Sequence, residues 1–398
     1  MKIEIVKFDN LGRGIGYIND KIVFIPKTVP GDIVNIDIIK DKKTYCEGRL
    51  VEIITPSKMR ISAPCPYFDK CGGCDLQNIS TSDNLDYKLN KVNDMLKKEG
   101  INYEVKEIVK SSGTFNYRNK VTLKIFCGII GFYESSTHKI VEISECMLCG
   151  KAINEVIKDL HLLEIINGDV TIRENYHGEI MIVINSGDDV KNIDKIINRH
   201  NVVGIIKNDK VIYGENYYFD KVKEYLFKVS YNSFFQVNKS ICEKLFELIE
   251  EETKNSKSTI DLYCGVGTLS IVASKNSENV LGVEINENAI IDANFNKIMN
   301  HVDNAQFICS DTKDILDKIT SNYDTIIFDP PRSGVLESIL NKVSEEKINK
   351  IIYVSCNPIT LIRDIKVLKD YKIVDFKLLE MFPNSEHVES FCVLEYVQ

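Results

Sequence analysis

The sequence predicts a multidomain α/β protein, and three observations carry that prediction. Its 398 residues are 44% hydrophobic and 27% charged, an ordinary globular composition. At roughly 150 residues per domain, that length makes two or three units. The first 57 residues alternate β-branched runs with turn signals, whereas from about residue 238 strands alternate with helical stretches, the pattern of a doubly wound sheet.

Taken in order, the N-terminal runs cover residues 21–26, 33–39 and 48–54, with Pro30-Gly31-Asp32 turning between two of them. They predict a small antiparallel barrel over residues 1–58. Residues 1–60 hold 11 Lys and Arg against 8 Asp and Glu, opposite in sign to the whole chain's −8. A module that touches phosphates needs such a balance, although a solvated barrel face reads the same way. Residues 62–78 are dense in Cys, Pro and Gly. Ser82 then opens a helix with Leu85, Leu89, Val92 and Leu96 on one face and Gly100 as its stop. A middle α/β unit, 59–231, mixes strands at 121–126, 180–184 and 202–206 with helical segments. The last unit, 232–398, begins with an amphipathic helix bearing Ile241, Leu245, Leu248 and Ile249 on one stripe. Its strands are expected at 259–263, 280–284, 305–309, 325–329, 351–355, 372–377 and 391–397. Such sheets bind ligands outside the carboxyl ends of their strands.

No apolar run approaches the ~20 residues that span a bilayer, and Met1-Lys2-Ile3-Glu4 lacks a signal-peptide layout. The expectation is a cytoplasmic protein without a membrane partner. In that compartment the 12 cysteines stay reduced, so clustered ones read as metal or catalytic sites. The net charge argues against indiscriminate coating of nucleic acid but leaves room for a local basic groove.

The first C-terminal strand ends in Asp261-Leu-Tyr-Cys-Gly265-Val-Gly267, where two glycines let the backbone turn tightly beside a ligand. Glu284 ends the second strand, where a carboxylate accepts hydrogen bonds from both ribose hydroxyls. Ser270 stands where a dinucleotide fingerprint needs its third glycine. A nucleoside without phosphates, such as S-adenosylmethionine, suits the site better. The fourth strand runs into Asp329-Pro-Pro-Arg-Ser-Gly334 and the fifth into Ser355-Cys356-Asn357-Pro358. A cysteine leaving a strand at that edge is a plausible nucleophile once its thiolate is stabilised.

Five segments in fixed order give the chain a specific resemblance: Ser233-Phe-Phe-Gln236-Val-Asn238, Asp261 to Gly267, Asp329 to Gly334, Tyr353 to Pro358 with Arg363-Asp364, and Met381-Phe-Pro383 with Glu386-His-Val-Glu389. The C-terminal third resembles the S-adenosylmethionine-dependent RNA uracil-5 methyltransferases, which have a Rossmann-like methyltransferase domain. The resemblance implies Cys356 as nucleophile and Glu389 as base. It also implies that Gln236, Tyr263, Glu284, Asp311 and Asp329 hold the cofactor, with Asp311 on the adenine side.

The cysteines Cys65, Cys71 and Cys74, with Cys146 and Cys149 downstream, have a spacing that can wrap a cluster or a zinc ion. They resemble the 4Fe-4S site of one branch of this family. There the fourth ligand follows a strand ending like residues 140–143, which favours Cys146. The same branch carries an N-terminal OB-like β-barrel of the TRAM type, and Gly12-x-Gly14-x-Gly16 and Val29 to Asp32 look like its loops. Tyr117-Arg-Asn-Lys120 also matches, and with Lys106, Lys110 and Lys124 gives candidate phosphate contacts.

The resemblance implies methylation of an extruded uridine in structured RNA, with large-subunit (23S) ribosomal RNA first, transfer RNA second, and no DNA partner. A cytosine-5 methyltransferase would usually have a cysteine where Arg332 and Ser333 stand. An amino-group methyltransferase would need neither Cys356 nor Glu389, and a non-catalytic RNA-binding protein leaves their joint presence unexplained.

Overall fold

The structure is a computed structural model that describes residues 1–135 and 137–397. Three sheets and a hairpin follow one another along the chain. The first sheet has six strands, from Lys2–Glu4 to Tyr45–Thr55, curled around Ile3, Ile5, Val23, Ile25, Val34 and Ile36. The expected purely antiparallel barrel is corrected here, since Lys21–Ile25 runs parallel to Tyr45–Thr55. Asp32 fastens the end of this sheet. Its carboxylate accepts the N–H groups of Val29 and Ser57 at 2.7 and 2.8 Å and pairs with Arg60 at 2.6 Å.

The helix Thr81–Lys98 follows, and Ser80, two residues before Ser82, caps it by accepting the N–H of Asp83. The helix falls within the 59–231 span but, as its sequence also allowed, packs on the last unit. Val92, Met95, Leu96 and Val105 join the core formed by Ile260, Phe328 and Tyr353, and Glu107–Val109 pairs in parallel with Tyr371–Leu379. Apolar burial against the C-terminal sheet outweighs proximity in sequence.

The middle sheet has seven strands, including Lys120–Phe126, Ile180–Asn185 and Val202–Lys207, with Lys151–Asp159 packed on one face. The hairpin Tyr217–Val222 and Tyr225–Ser230 bridges to the last body, where Asp292 accepts the N–H of Ser230 at 2.7 Å.

Counted from Ser258–Leu262, the C-terminal strands lie in the order 3-2-1-4-5-7-6. The first five are parallel, and Glu389–Tyr396 inserts antiparallel between Lys350–Ser355 and Tyr371–Leu379. That insertion brings residue 389 back to the carboxyl edge of the parallel strands. No helix of the described residues is long and apolar enough to cross a membrane.

Candidate active site

At the carboxyl edge, Lys350–Ser355 and Glu389–Tyr396 pair in a register that runs from Lys350 opposite Glu395 to Ser355 opposite Ser390. One further step places Cys356 against Glu389. The turn holding Cys356 is built by its neighbour Asn357, whose side chain caps the helix Pro358–Val367 and donates to the Arg332 carbonyl at 2.9 Å. Proline at the first helical position stops the strand cleanly. Asp364, buried, accepts the Tyr353 hydroxyl at 2.6 Å and the Val335 N–H at 2.9 Å, so it ties the loop 329–335 to that helix. Gly334 has φ 79°, and a Cβ there would strike the Arg363 guanidinium.

The electrostatics couple four groups. Burial pushes the Cys356 thiol up, Glu389 and Asp329 push it further, and Arg332 opposes them. Glu389 is 3% exposed, and burial followed by the charge of Asp329 raises its carboxyl well above the usual range, again against Arg332. Burial pushes Asp329 up to about 7. A carboxylate with high proton affinity beside a thiol suits proton removal near neutral pH. Arg332, quoted in a motif but given no role by sequence reasoning, is the one cation tempering all this negative charge. Its signal was available only as the fourth residue of the Asp329-Pro-Pro-Arg run.

Cys356 and Arg332 open into a cavity of about 170 Å³ that is also lined by Met95, Glu386, His387 and Val388. Glu386 is ion-paired with Lys91 and lies 3.0 Å from His387 Nδ1, an arrangement that fixes the ring at the cavity wall.

Most of the residues read as cofactor-binding lie at or just past the carboxyl ends of the parallel strands. Tyr263 follows the first strand in a left-handed conformation, φ 71°, and its hydroxyl accepts from Thr312 at 3.3 Å. Gly265 donates its N–H to Glu284 Oε2 at 3.2 Å, and a Cβ on Gly265 would meet only open space. The other carboxylate oxygen of Glu284 accepts the Asn286 N–H at 2.9 Å. Gly267, φ 82°, is tightly enclosed, since a Cβ would lie 2.8 Å from the Phe307 ring. Asp311 caps the short helix Thr312–Lys318 and pairs with Lys313 at 2.9 Å, which holds its carboxyl below the usual range. Gln236 is half-buried and anchored through its carbonyl, which accepts from Asn119 at 3.1 Å. Asn238 stands at the N-cap of Lys239–Glu252 but spends its amide elsewhere, donating to Ser111 Oγ at 3.0 Å. Asp261 is the second group sequence reasoning passed over. It is fully buried, accepts from Ser270 at 2.5 Å, has an unpartnered Oδ1, and burial raises it to about 7.

Cys65, Cys71, Cys74 and Cys146 line one cavity of about 270 Å³, whose wall Arg332 and His387 share with the Cys356 pocket. Gly73 N–H and Gln77 Nε2 point at Cys71 Sγ and Cys74 Sγ, at 3.3 and 3.2 Å. Lys27 donates to the Cys71 and Cys74 carbonyls. Cys149 is buried behind Cys146 and lowers that thiol to about 7. Among the described residues no group of three or more His, Cys, Asp or Glu side chains converges on a point as a lone metal ion requires.

Of the expected phosphate contacts, Arg118 and Lys124 are engaged within the chain, whereas the Lys106 side chain is 80% exposed. Arg118 and Lys120 are half-buried, Arg118 Nε donates to the Lys120 carbonyl at 2.9 Å, and Lys124 pairs with Asp169 at 2.7 Å. Tyr117 and Asn119 are joints, bonded to the carbonyls of Pro383 and Gln236.

Comparison with known proteins places these features in company. The family described as tRNA (uracil-5-)-methyltransferase matches residues 129–397, and the TRAM domain matches residues 1–51. An uncharacterized RNA methyltransferase of Clostridium tetani is 33% identical over 97% of this chain and 94% of its own length. One from Halalkalibacterium halodurans is 32% identical over 99% and 96%. Among solved structures, the tRNA (uracil-54, C5)-methyltransferase of Pyrococcus abyssi, in complex with S-adenosyl-L-homocysteine, superposes with a TM-score of 0.83 at 27% identity, covering 99% of this chain and 100% of that one.

Proposed function

Because the chain belongs to the tRNA (uracil-5-)-methyltransferase family and carries a TRAM domain, we propose that this S-adenosylmethionine-dependent RNA uracil-5 methyltransferase works through a covalent bond from Cys356 to its target uridine. One arrangement carries the reading, namely Cys356 opening into a cavity with Glu389 across the strand pair and Arg332 and Asp329 acting on its thiol.

Carbon 5 of uracil is too weak a nucleophile to take a methyl group unaided. The Cys356 thiolate adds to carbon 6, and the electrons of the ring's double bond move toward carbon 5 and the carbonyl oxygen at carbon 4. S-adenosylmethionine supplies an electrophilic methyl group when bound. Carbon 5 takes that methyl and a neutral thioether is left behind; Glu389 removes the carbon 5 proton, whose bonding electrons re-form the carbon 5–carbon 6 double bond as the sulfur–carbon 6 bond breaks with its electrons returning to sulfur. Arg332 favours the thiolate form of Cys356. Asp329 lies between base and cofactor. Glu284 accepts from the ribose, Gly265 and Gly267 let the backbone approach, and Tyr263, Gln236 and Asp311 border the rest of the cofactor.

The cysteine cavity fits a 4Fe-4S cluster held by Cys65, Cys71, Cys74 and Cys146. Thiols spread around a void, with N–H groups aimed at two sulfurs, suit a cluster with one ligand per iron better than a lone tetrahedral zinc. The cluster would brace the wall shared with the uridine pocket. We take the three working units as 1–58, 59–231 and 232–398, with 81–109 serving the third, and the cytoplasm as the place where the thiols stay reduced.

For the RNA, large-subunit ribosomal RNA is the first reading, supported by the combined TRAM module and cysteine loop. Transfer RNA is the second, supported by the likeness to the Pyrococcus enzyme. Incubating unmodified ribosomal and transfer RNA with labelled methyl donor and mapping the product by mass spectrometry tests both. A 5-methyluridine in ribosomal RNA alone is the expected result, and one confined to transfer RNA selects the second reading. Label on cytosine or on an amino group would overturn both.

A further inference from the structure

The loop joining the second and third strands of the N-terminal sheet reaches into the catalytic pocket. Asn10 and Leu11 line the same cavity as Cys356. Asp9 builds this loop, since its Oδ1 accepts the N–H groups of Leu11 and Arg13 at 2.9 and 2.8 Å and its Oδ2 accepts Arg13 Nε at 2.7 Å. An Asx turn of this kind sets the backbone before any ligand arrives.

The loop is also fixed from outside. Tyr87, on the helix Thr81–Lys98, donates its hydroxyl to the Asp9 carbonyl at 3.0 Å and packs edge-on against Phe8. Gly12, φ 71°, is pressed so closely on the segment before Glu389 that a Cβ would lie 3.3 Å from the Glu386 Cβ. Only the tip is free, with Leu11 53% exposed. Across the cavity stand Met95, Val388 and Ile359, the last 62% exposed. The loop tip offers uncharged Asn10 and apolar Leu11, with no cation for phosphate. It has the chemistry of a wedge, the apolar side chain that enters a base stack and holds it open.

We propose that Leu11 is the wedge that keeps the target uridine out of its stack, so that the N-terminal module forms one wall of the base pocket and favours structured RNA. The proposal rests on the uracil-5 reading above, because a nucleophile that attacks carbon 6 needs the base extruded.

The test compares full-length wild type, Leu11→Ala and Leu11→Met on two RNAs of one sequence. In one the mapped uridine is stacked in a helix, and in the other the pairing strand is removed. Leu11→Ala should lose about tenfold more kcat/KM on the structured RNA than on the open one, because only there must the base be held out of a stack. Leu11→Met should recover most of that gap, and S-adenosylmethionine affinity should be the same in all three proteins. Equal losses on both RNAs, or none on either, would overturn the proposal. Wild-type inactivity on every RNA would overturn the parent reading, and this one with it.

Discussion

Cys356, the proposed nucleophile, stands in surroundings that oppose its ionisation. Burial, Glu389 and Asp329 all raise its thiol, and only Arg332 works the other way. Its partner Glu389 is raised too, so both groups must lose protons that their setting holds tightly. The sign follows directly: activity requires the deprotonated forms, so kcat should climb with pH through the neutral range instead of levelling off near pH 5. A kcat already flat from pH 5 to 8 in single-turnover assays would count against this coupling. Replacing Glu389 by Gln should leave methyl transfer but stop proton removal, so that a protein–RNA adduct builds up on a denaturing gel. Normal product release by that variant would remove Glu389 as base.

Asp261 and Asp329 extend the same logic to stability. Each is raised by burial from 3.8 to about 7, so the folded chain keeps protons that the unfolded chain releases. Stability that is full below about pH 4 is therefore lost as pH rises through 7. Melting temperature should fall over that range, and Asp329→Asn should flatten the fall. An equal slope in the variant would contradict the raised carboxyl.

At the scale of elements, strand ends and turns do the positioning. Gly267 is left-handed at φ 82° and enclosed by Phe307, so Gly267→Ala should weaken S-adenosylmethionine binding by tenfold or more, read by calorimetry. Unchanged affinity would free that turn of its role. In the cysteine loop, Cys146→Ser should lose iron while Cys149→Ser keeps about four per chain, because only Cys146 faces the cavity. Equal iron in both variants, or zinc in the wild type, would contradict the assignment.

Much of this was legible in the sequence. The C-terminal strands fall close to their expected places because most are β-branched or otherwise apolar runs bounded by turn residues, and Cys356 and Glu389 stand out in their motifs. Arg332, Asp261 and Leu11 were not legible, because their importance comes from neighbours far along the chain. The parallel pairing of Lys21–Ile25 and the insertion of Glu107–Val109 into the last sheet escaped for the same reason. A three-residue strand carries too little pattern to announce its partner.

At the scale of the whole molecule, three parts converge on one pocket. The N-terminal sheet brings Leu11, the helix Thr81–Lys98 brings Lys91 and Met95, and the C-terminal sheet brings Cys356 with Arg332. The middle sheet and cysteine loop sit behind Arg332 and His387. The cavity draws on residues from 10 to 388, so the segments that build it are scattered over the chain.

The covalent bond from Cys356 is tested most directly by an RNA whose target uridine carries fluorine at carbon 5. Fluorine cannot leave as the proton does, so Glu389 has nothing to remove and the sulfur–carbon 6 bond is trapped after methyl transfer. Intact-mass measurement should show protein plus RNA plus one methyl group, with the linked peptide containing Cys356 and no such species in Cys356→Ala. Methylation of the natural RNA together with no trapped species, or a link at another residue, would contradict the mechanism.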